Sequence, residues 1–214
     1  MKKKNKSVLS NKNYQRIFRI VHSVSESIGN TAGKSCLFYN IVGASIIECN
    51  FNRKAIPVMG AALFHIHNPS NSVLTLGEIK NGIIASNNDA FHCWIQCEDY
   101  IIDFTAPVFH ETFRKIDNNI TIPRKMFVKK LSSMASSSEN LKKKGDFILQ
   151  PNIQLTAELL QRFANSAAAN DLANICMGWF KKYPQKIQKE LLMCNDLGEK
   201  TNIELNNFRI SNKW

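Results

Sequence analysis

Hydrophobic positions in the first quarter of the chain predict two helices. In residues 14–28 the apolar side chains recur three or four positions apart with polar residues between them, which is typical of an amphipathic helix. His22 is expected on the surface of this helix. Residues 35–51 are apolar on all sides, which predicts a buried helix with Ser35 as its N-cap. A glycine-containing loop separates the two helices.

Short apolar runs in the middle of the chain predict strands. They cover residues 54–67, 72–79, 90–97, 100–107, 124–130 and 146–152. The runs "AFHCWIQC" and "YIIDFTAP" are separated only by Glu98 and Asp99, which predicts a hairpin with a two-residue turn. Opposite residues of such a pair point to the same side, so one face is expected to carry His92, Trp94, Gln96, Ile101, Asp103 and Thr105. The other face is expected to pack on the core through Phe91, Cys93, Ile95, Ile102 and Phe104.

The last third of the chain is expected to be mainly helical. Helices are predicted over residues 157–168, 171–183 and 184–194, with Thr156 and Asn170 as caps of the first two and Pro184 in the first position of the third. The segment before them, residues 132–145, is Ser-rich and then Lys-rich, which predicts a surface loop.

The order of helices, then strands, then helices predicts an α+β fold with an antiparallel sheet. Residues 1–11 are expected to form a basic, flexible tail. Residues 12–214 are expected to form a single domain, with a core at 12–131, the loop at 132–145 and a strand and helices at 146–214.

The net charge of +11 is the compositional feature that most needs an explanation. A basic surface fits an acidic partner such as nucleic acid or an anionic membrane. It fits equally a chain rich in Lys and Asn whose basic residues are spread along its length. No RNA-recognition signature, zinc-finger spacing or basic–aromatic repeat occurs, so nucleic acid is not expected as a partner.

Targeting patterns and cysteine usage favour a cytoplasmic protein without a membrane partner. The basic start "MKKKNK" is followed by polar residues, and no window is long and apolar enough to span a membrane. The six cysteines are expected to be free thiols, each either a small buried hydrophobe or a reactive group.

One such thiol has plausible catalytic partners in the hairpin. His92 and Asp103 are diagonal neighbours there, with Cα atoms roughly 7–8 Å apart, and a carboxylate at that distance can orient an imidazole ring and fix its proton. Cys36 is expected in the first turn of the buried helix, where the helix N-terminus favours a negative charge. A thiol, an imidazole and a carboxylate together make the nucleophile of acyl transfer.

Structural interpretations of the same residues remain open. Cys36 fits a buried structural thiol, Asp103 a residue that ends a strand, and Trp94 a core side chain that would also shield the catalytic pair from water. The sequence His65–Ile66–His67 places two imidazoles on one strand, where they can line a cleft or hold a metal, but no third ligand has a persuasive spacing. We therefore predict no metal site and no cofactor.

The motifs around these residues resemble those of papain-like and transglutaminase-like cysteine enzymes. The resemblance spans roughly residues 12–107, and its matching residues are Cys36 in "GKSCLFYN", His92 and Trp94 in "FHCWIQ", and Asp103 and Thr105 in "IIDFTAP". It implies acyl chemistry at an amide or ester of a peptide or amide substrate. It also implies a buried N-terminal catalytic helix on an antiparallel sheet.

The chain departs from the family pattern around its cysteine. Leu37 follows Cys36 where an aromatic residue is common, and the "R-G-G-x-C" form of arylamine acetyltransferases is absent. Asn30 lies at the spacing where papain-like enzymes place the glutamine that donates to the oxyanion, which makes it a candidate donor together with the Cys36 backbone N–H.

The sequence thus predicts a cysteine hydrolase with a Cys36–His92–Asp103 triad, supported by Trp94 and Thr105. Transglutaminase and acyltransferase activities stay open. The alternatives are an inactive binding module on the same fold and a basic nucleic-acid-binding protein.

Overall fold

The computed structural model describes residues 8–29, 35–67, 72–114, 122–181 and 186–214. Within these ranges the chain forms five α-helices: α1 (Asn11–Ser27), α2 (Cys36–Phe51), α3 (Phe109–Arg114), α4 (Ile153–Ala164) and α5 (Ala167–Phe180). None of the helices in the described residues is long and apolar enough to cross a membrane.

The strands of the described residues form one large sheet and two small hairpins. They are β1 (Ala55–His67), β2 (Ser72–Leu76), β3 (Glu78–Lys80), β4 (Ile83–Ala85), β5 (His92–Cys97), β6 (Tyr100–Asp103), β7 (Lys125–Lys130), β8 (Phe147–Pro151), β9 (Glu190–Cys194), β10 (Lys200–Glu204) and β11 (Ser211–Lys213). The large sheet has the order β11-β7-β6-β5-β1-β2, with β8 also beside β1. All of its pairs are antiparallel except β11 with β7. The predicted α+β class is confirmed.

The long strand β1 organises the curl of this sheet. Its first half pairs with β5 and its middle with β8, while its second half pairs with β2. Gly60 pairs with both β5 and β8, because it lies opposite His92 on one edge of β1 and opposite Pro151 on the other. A Cβ atom at Gly60 would lie 2.0 Å from the Gln150 carbonyl oxygen, so only glycine lets β8 approach β1 this closely.

Apolar side chains fill both faces of the curled sheet. The outer face packs on α1, α2 and α5 through a core that includes Tyr14, Phe18, Val42, Phe104 and Phe180. The inner face holds a second core that includes Phe64, Trp94, Ile101, Phe127 and Phe147. The hairpin face that carries His92, Trp94, Ile101 and Asp103 is therefore also largely buried, because the sheet curls around it, and Gln96 of this face is exposed.

Close contact between α2 and the sheet depends on Gly43. A Cβ atom there would lie 2.3 Å from Cδ2 of Phe104, so the missing side chain lets the helix rest directly on the segment that follows β6. This contact fixes the helix that begins with Cys36 against the strand that ends with Asp103.

The predicted hairpin and its two-residue turn are confirmed. Cys97 faces Tyr100 and Gln96 faces Ile101 across β5 and β6. Glu98, the first turn residue, has a φ of 54°, which is the left-handed conformation such turns use. The even-numbered turn preserves the alternation that places His92 and Asp103 on the same side.

Two predicted helix starts are wrong by one turn, and one predicted helix is wrong over its described part. The N-caps of α4 and α5 are Asn152 and Ser166 rather than Thr156 and Asn170, since the Asn152 and Ser166 side chains accept the capping N–H bonds. Residues 190–194 are strand β9, because they pair with β10 across a turn closed by Asn195 and Gly198. Pro184 lies outside the described residues.

Two predictions near the N-terminus also need correction. Val8 and Leu9 are buried in the outer core, so the segment just before α1 is part of the packed structure. His22 is buried rather than on the helix surface, because α2 covers it and Tyr39 bonds to its ring. Residues 132–145 do form a mostly exposed loop, in which short 3-10 turns are the only regular structure.

Candidate active site

A buried ion pair joins the first residue of β5 to the last residue of β6. The Nε2 atom of His92 lies 2.9 Å from Oδ2 of Asp103, and the two side chains are almost completely inaccessible to solvent. The predicted diagonal contact across the hairpin is therefore present. Because Nε2 faces the carboxylate, Nδ1 is the ring atom left to interact with a thiol.

The second carboxylate oxygen of Asp103 is held by neighbouring donors. The Thr105 backbone N–H donates to Oδ1 at 2.8 Å, and the Thr105 hydroxyl donates to the same oxygen. The Nδ2 atom of Asn40 donates to it at 3.2 Å. The Tyr14 hydroxyl donates to the Asp103 carbonyl oxygen. Thr105 thus bonds twice to the Asp103 carboxylate.

Each member of this ion pair stabilises the charged form of the other. Burial alone would lower the pKa of His92, but the negative charge of Asp103 and the hydrogen bond to it, with smaller contributions from Cys36, raise this pKa to about 10. Burial alone would raise the pKa of Asp103, but the charge and hydrogen bond of His92 and the bonds from Thr105 lower it. At neutral pH His92 is therefore an imidazolium and Asp103 a carboxylate.

The thiol of Cys36 meets this ring at the start of α2. Cys36 is the first residue of the helix and is half-buried. Both a hydrogen bond to Cys36 and its charge contribute to the raised pKa of His92, which places the sulfur beside the ring. The structure thus brings together all three residues of the predicted triad.

A small pocket opens onto the thiol. Its volume is about 40 Å³, and the described residues that line it are Cys36, Leu76, Phe91, His92, Thr105, Val108, Phe109 and Thr112. Apart from His92 and the thiol, these side chains are apolar or carry only a hydroxyl group. The pocket therefore suits a small, uncharged group.

Aromatic rings enclose the imidazole on its inner side. The centroid of the His92 ring lies 5.6 Å from that of Phe64, 6.2 Å from that of Phe109 and 6.4 Å from that of Trp94. Trp94 is buried and its ring is roughly parallel to the imidazole. The low polarity of these rings strengthens the attraction between His92 and Asp103.

Asn40 and Tyr14 are the polar site residues that sequence reasoning missed. A detectable signal existed for Asn40, since it is the one strongly polar side chain in the first two turns of an otherwise apolar helix and lies four residues after Cys36. No such signal existed for Tyr14, whose position in the apolar stripe of α1 predicts only packing.

None of the other residues that the sequence singled out, Asn30, His65 and His67, is in the described lining of the Cys36 pocket. Asn30 lies outside the described residues, as does the side chain of His67. His65 is buried in β1 and is absent from the described lining of the Cys36 pocket. Among the described residues no three His, Cys, Asp or Glu side chains are grouped closely enough to hold a metal ion. All six cysteines are free.

Fold and site together define an α+β protein in which a half-buried thiol lies beside a buried pair of an imidazolium and a carboxylate. The chain belongs to the family described as "Protein of unknown function (DUF2026)", whose model matches residues 10–214. A solved structure described as "The crystal structure of genomics APC5867" is similar, with 25% identity, a TM-score of 0.85 and 98% of each chain covered. No curated protein matches the chain.

Proposed function

We propose that this protein is a cysteine hydrolase that cleaves an amide or peptide bond. The observation that carries the proposal is the buried His92–Asp103 ion pair beside Cys36, the first residue of a helix. A structural core has no need of a buried ion pair, which costs desolvation energy, whereas an acyl-transfer enzyme needs an oriented imidazolium beside a thiolate.

Each side chain has a defined role in the proposed reaction. The Cys36 thiolate attacks the substrate carbonyl carbon, an S–C bond forms, and the carbonyl electron pair moves to oxygen. The C–N bond then breaks as the leaving amine takes a proton from His92. Water next attacks the thioester while His92 accepts its proton, the S–C bond breaks, and the acid leaves. Asp103 keeps the ring oriented throughout.

The oxyanion needs donors that are already in place. The backbone N–H of Cys36 points out of the start of α2, where the helix dipole also favours negative charge. Asn30 stays the predicted second donor, on the resemblance of its spacing to that of papain-like enzymes.

The architecture supports placing the chain with papain-like and transglutaminase-like enzymes. Its helix α2 begins with the cysteine and packs against the sheet, and neighbouring antiparallel strands carry the histidine and the aspartate. Hydrolysis is the proposed outcome because water is the default acyl acceptor. Acyl transfer to an amine differs only in the second nucleophile. The proposed mechanism needs a reduced thiol at Cys36, and the cytoplasm, where the sequence leads us to expect this protein, keeps thiols reduced.

Thiol alkylation tests the proposal without a known substrate. Cys49 and Cys194 are exposed and serve as internal controls when iodoacetamide adducts are mapped by mass spectrometry. At pH 6 we expect Cys36 to react about tenfold or more faster than either control, although it is less exposed, because an imidazolium stabilises its thiolate. His92→Ala should remove this advantage. Equal rates at the three thiols, or a Cys36 rate that ignores the loss of His92, would contradict the proposal.

A binding module that has kept the fold without the activity is the second candidate. The small volume of the pocket beside Cys36, about 40 Å³, favours it because little of a substrate fits inside. This candidate predicts an ordinary thiol at Cys36 and no turnover of p-nitrophenyl acetate or of small peptide amides.

A further inference from the structure

One buried side-chain amide bonds to Cys36, to Asp103 and to Cys93, the residue that follows His92. Asn40 lies one helical turn after Cys36 and is fully buried. Its Nδ2 atom lies 3.1 Å from the Cys36 carbonyl oxygen, 2.7 Å from the Cys93 carbonyl oxygen and 3.2 Å from Oδ1 of Asp103. Its Oδ1 atom accepts a bond of 3.0 Å from the Phe104 backbone N–H.

These partners fix the orientation of the amide. Reversing it would place its oxygen against three acceptors and its NH2 group against the Phe104 N–H donor. The NH2 group must therefore face the carbonyl oxygens and the Asp103 carboxylate. An apolar residue of similar size would leave several buried polar groups without this partner, at a cost of about 1–3 kcal/mol each.

The consequence for Asp103 is a fixed carboxylate plane. Asn40 and the two Thr105 donors all bind Oδ1, so Oδ2 is left to face Nε2 of His92. The same amide ties the first turn of α2 to β5 next to His92. A single side chain thus controls the orientation of the ring and the placement of the helix that carries the thiol.

We infer that Asn40 is a positioning residue of the active site, which holds Asp103 and the Cys36 turn of α2 in the geometry that the His92 ring requires. This inference rests on the proposed hydrolase function. Asn40 binds the Cys36 carbonyl oxygen and is absent from the described lining of the pocket, so its effect on catalysis passes through Asp103 and the first turn of α2.

The sharpest variant is Asn40→Asp, which keeps the shape and exchanges the donor for a carboxylate. Two carboxylates this close share a proton at low pH and repel each other once both are ionised. While it is protonated, the introduced carboxyl group can donate to Asp103 as the amide does. We therefore expect this variant to approach wild-type Cys36 alkylation rates near pH 5 and to lose rate relative to wild type as the pH rises.

The second variant, Asn40→Ala, removes the donor at every pH. We expect the Cys36 alkylation rate at pH 6 to fall by about threefold or more, and no further than it falls in His92→Ala, because a misplaced imidazolium still lies near the sulfur. Asn50→Ala is the matched control, because Asn50 lies on the same helix and also bonds to the carbonyl four residues earlier, but is exposed. It should leave the rate unchanged. Thermal unfolding of each variant shows whether a lower alkylation rate belongs to the folded protein or results from loss of the fold.

Proton NMR separates this inference from the proposed function. The buried Nε2–H bond of His92 to Asp103 should give a downfield proton resonance in the wild type. In Asn40→Ala that resonance should move upfield or be lost to solvent exchange. An unchanged resonance together with a wild-type pH profile for Asn40→Asp would overturn the positioning role. If Asn40→Ala changes the resonance as expected but Cys36 of the wild type is unreactive, the hydrolase proposal alone is overturned.

Discussion

Two histidines of this protein are buried to nearly the same extent and behave in opposite ways. His92 is 2% exposed and His22 is 5% exposed. The Nε2 atom of His92 faces the carboxylate of Asp103, which is completely buried. The Nδ1 atom of His22 bonds to the Tyr39 hydroxyl.

The two rings consequently carry different charges at neutral pH. Burial lowers the pKa of His22 to about 4, and the positive charge of Arg124 adds to this effect while Glu111 opposes it. The Nε2 atom of His22 lies 3.4 Å from Oε2 of Glu26, yet a neutral ring and an exposed carboxylate do not form an ion pair. Burial is common to both histidines, so the ionised Asp103 accounts for the charge of His92.

Removing that carboxylate should make His92 resemble His22. In Asp103→Asn we expect the turnover of an activated ester or amide to fall by about 10⁴-fold, because the ring loses both its orientation and its charge partner. Asp99→Asn is the matched control, since Asp99 lies exposed in the turn of the same hairpin. Retention of a tenth of wild-type turnover in Asp103→Asn would mean that the ion pair is not part of the mechanism.

His22 should dominate the acid sensitivity of the fold. Its folded pKa of about 4 is below the ordinary value of 6.5, so the unfolded chain takes up the proton first as the pH falls. Stability is therefore lost between about pH 6.5 and pH 4, by up to about 3 kcal/mol. Urea unfolding across this range should show a steeper loss for the wild type than for His22→Gln. Parallel curves would contradict the low pKa of His22.

A smaller effect is expected where Asp103 loses one of several donors. Thr105→Val removes the hydroxyl bond but keeps the backbone N–H bond to the carboxylate. Loss of one such bond, about 1–1.5 kcal/mol, predicts a fall in kcat of about tenfold. Tyr39→Phe removes the corresponding hydroxyl from His22 and should leave kcat unchanged. If Tyr39→Phe lowers kcat as much as Thr105→Val, the two histidine environments are coupled.

The hairpin that carries His92 and Asp103 shows how much local sequence can specify. The Glu98–Asp99 turn has an even number of residues, and strand side chains alternate, so His92 and Asp103 are placed together without reference to the rest of the chain. The apolar run after Ser35 likewise identifies the buried helix and places Cys36 at its start. These features depend on neighbouring residues alone.

The C-terminal region shows where local patterns fail. Residues 190–194 match a helical pattern, yet alternate side chains pack inward and Leu192 is 61% exposed, as in a strand. The pairing with β10 supplies the backbone bonds that a helix would have made internally. A short apolar run fits the periodicity of a helix and that of a strand equally well, and here tertiary contacts decided for the strand.

The sequence by itself determined the candidate triad, the parity of the hairpin and the α+β class, because periodicity and turn length act over a few residues. Only the tertiary structure decided which histidine is charged, that both faces of the sheet are buried, and that Asn40 joins Cys36 to Asp103. The reason is physical. A pKa and a buried hydrogen bond depend on charges and dipoles a few ångströms away, and such groups can be distant in the chain: the hydrogen-bonded Tyr14 and Asp103 are 89 residues apart.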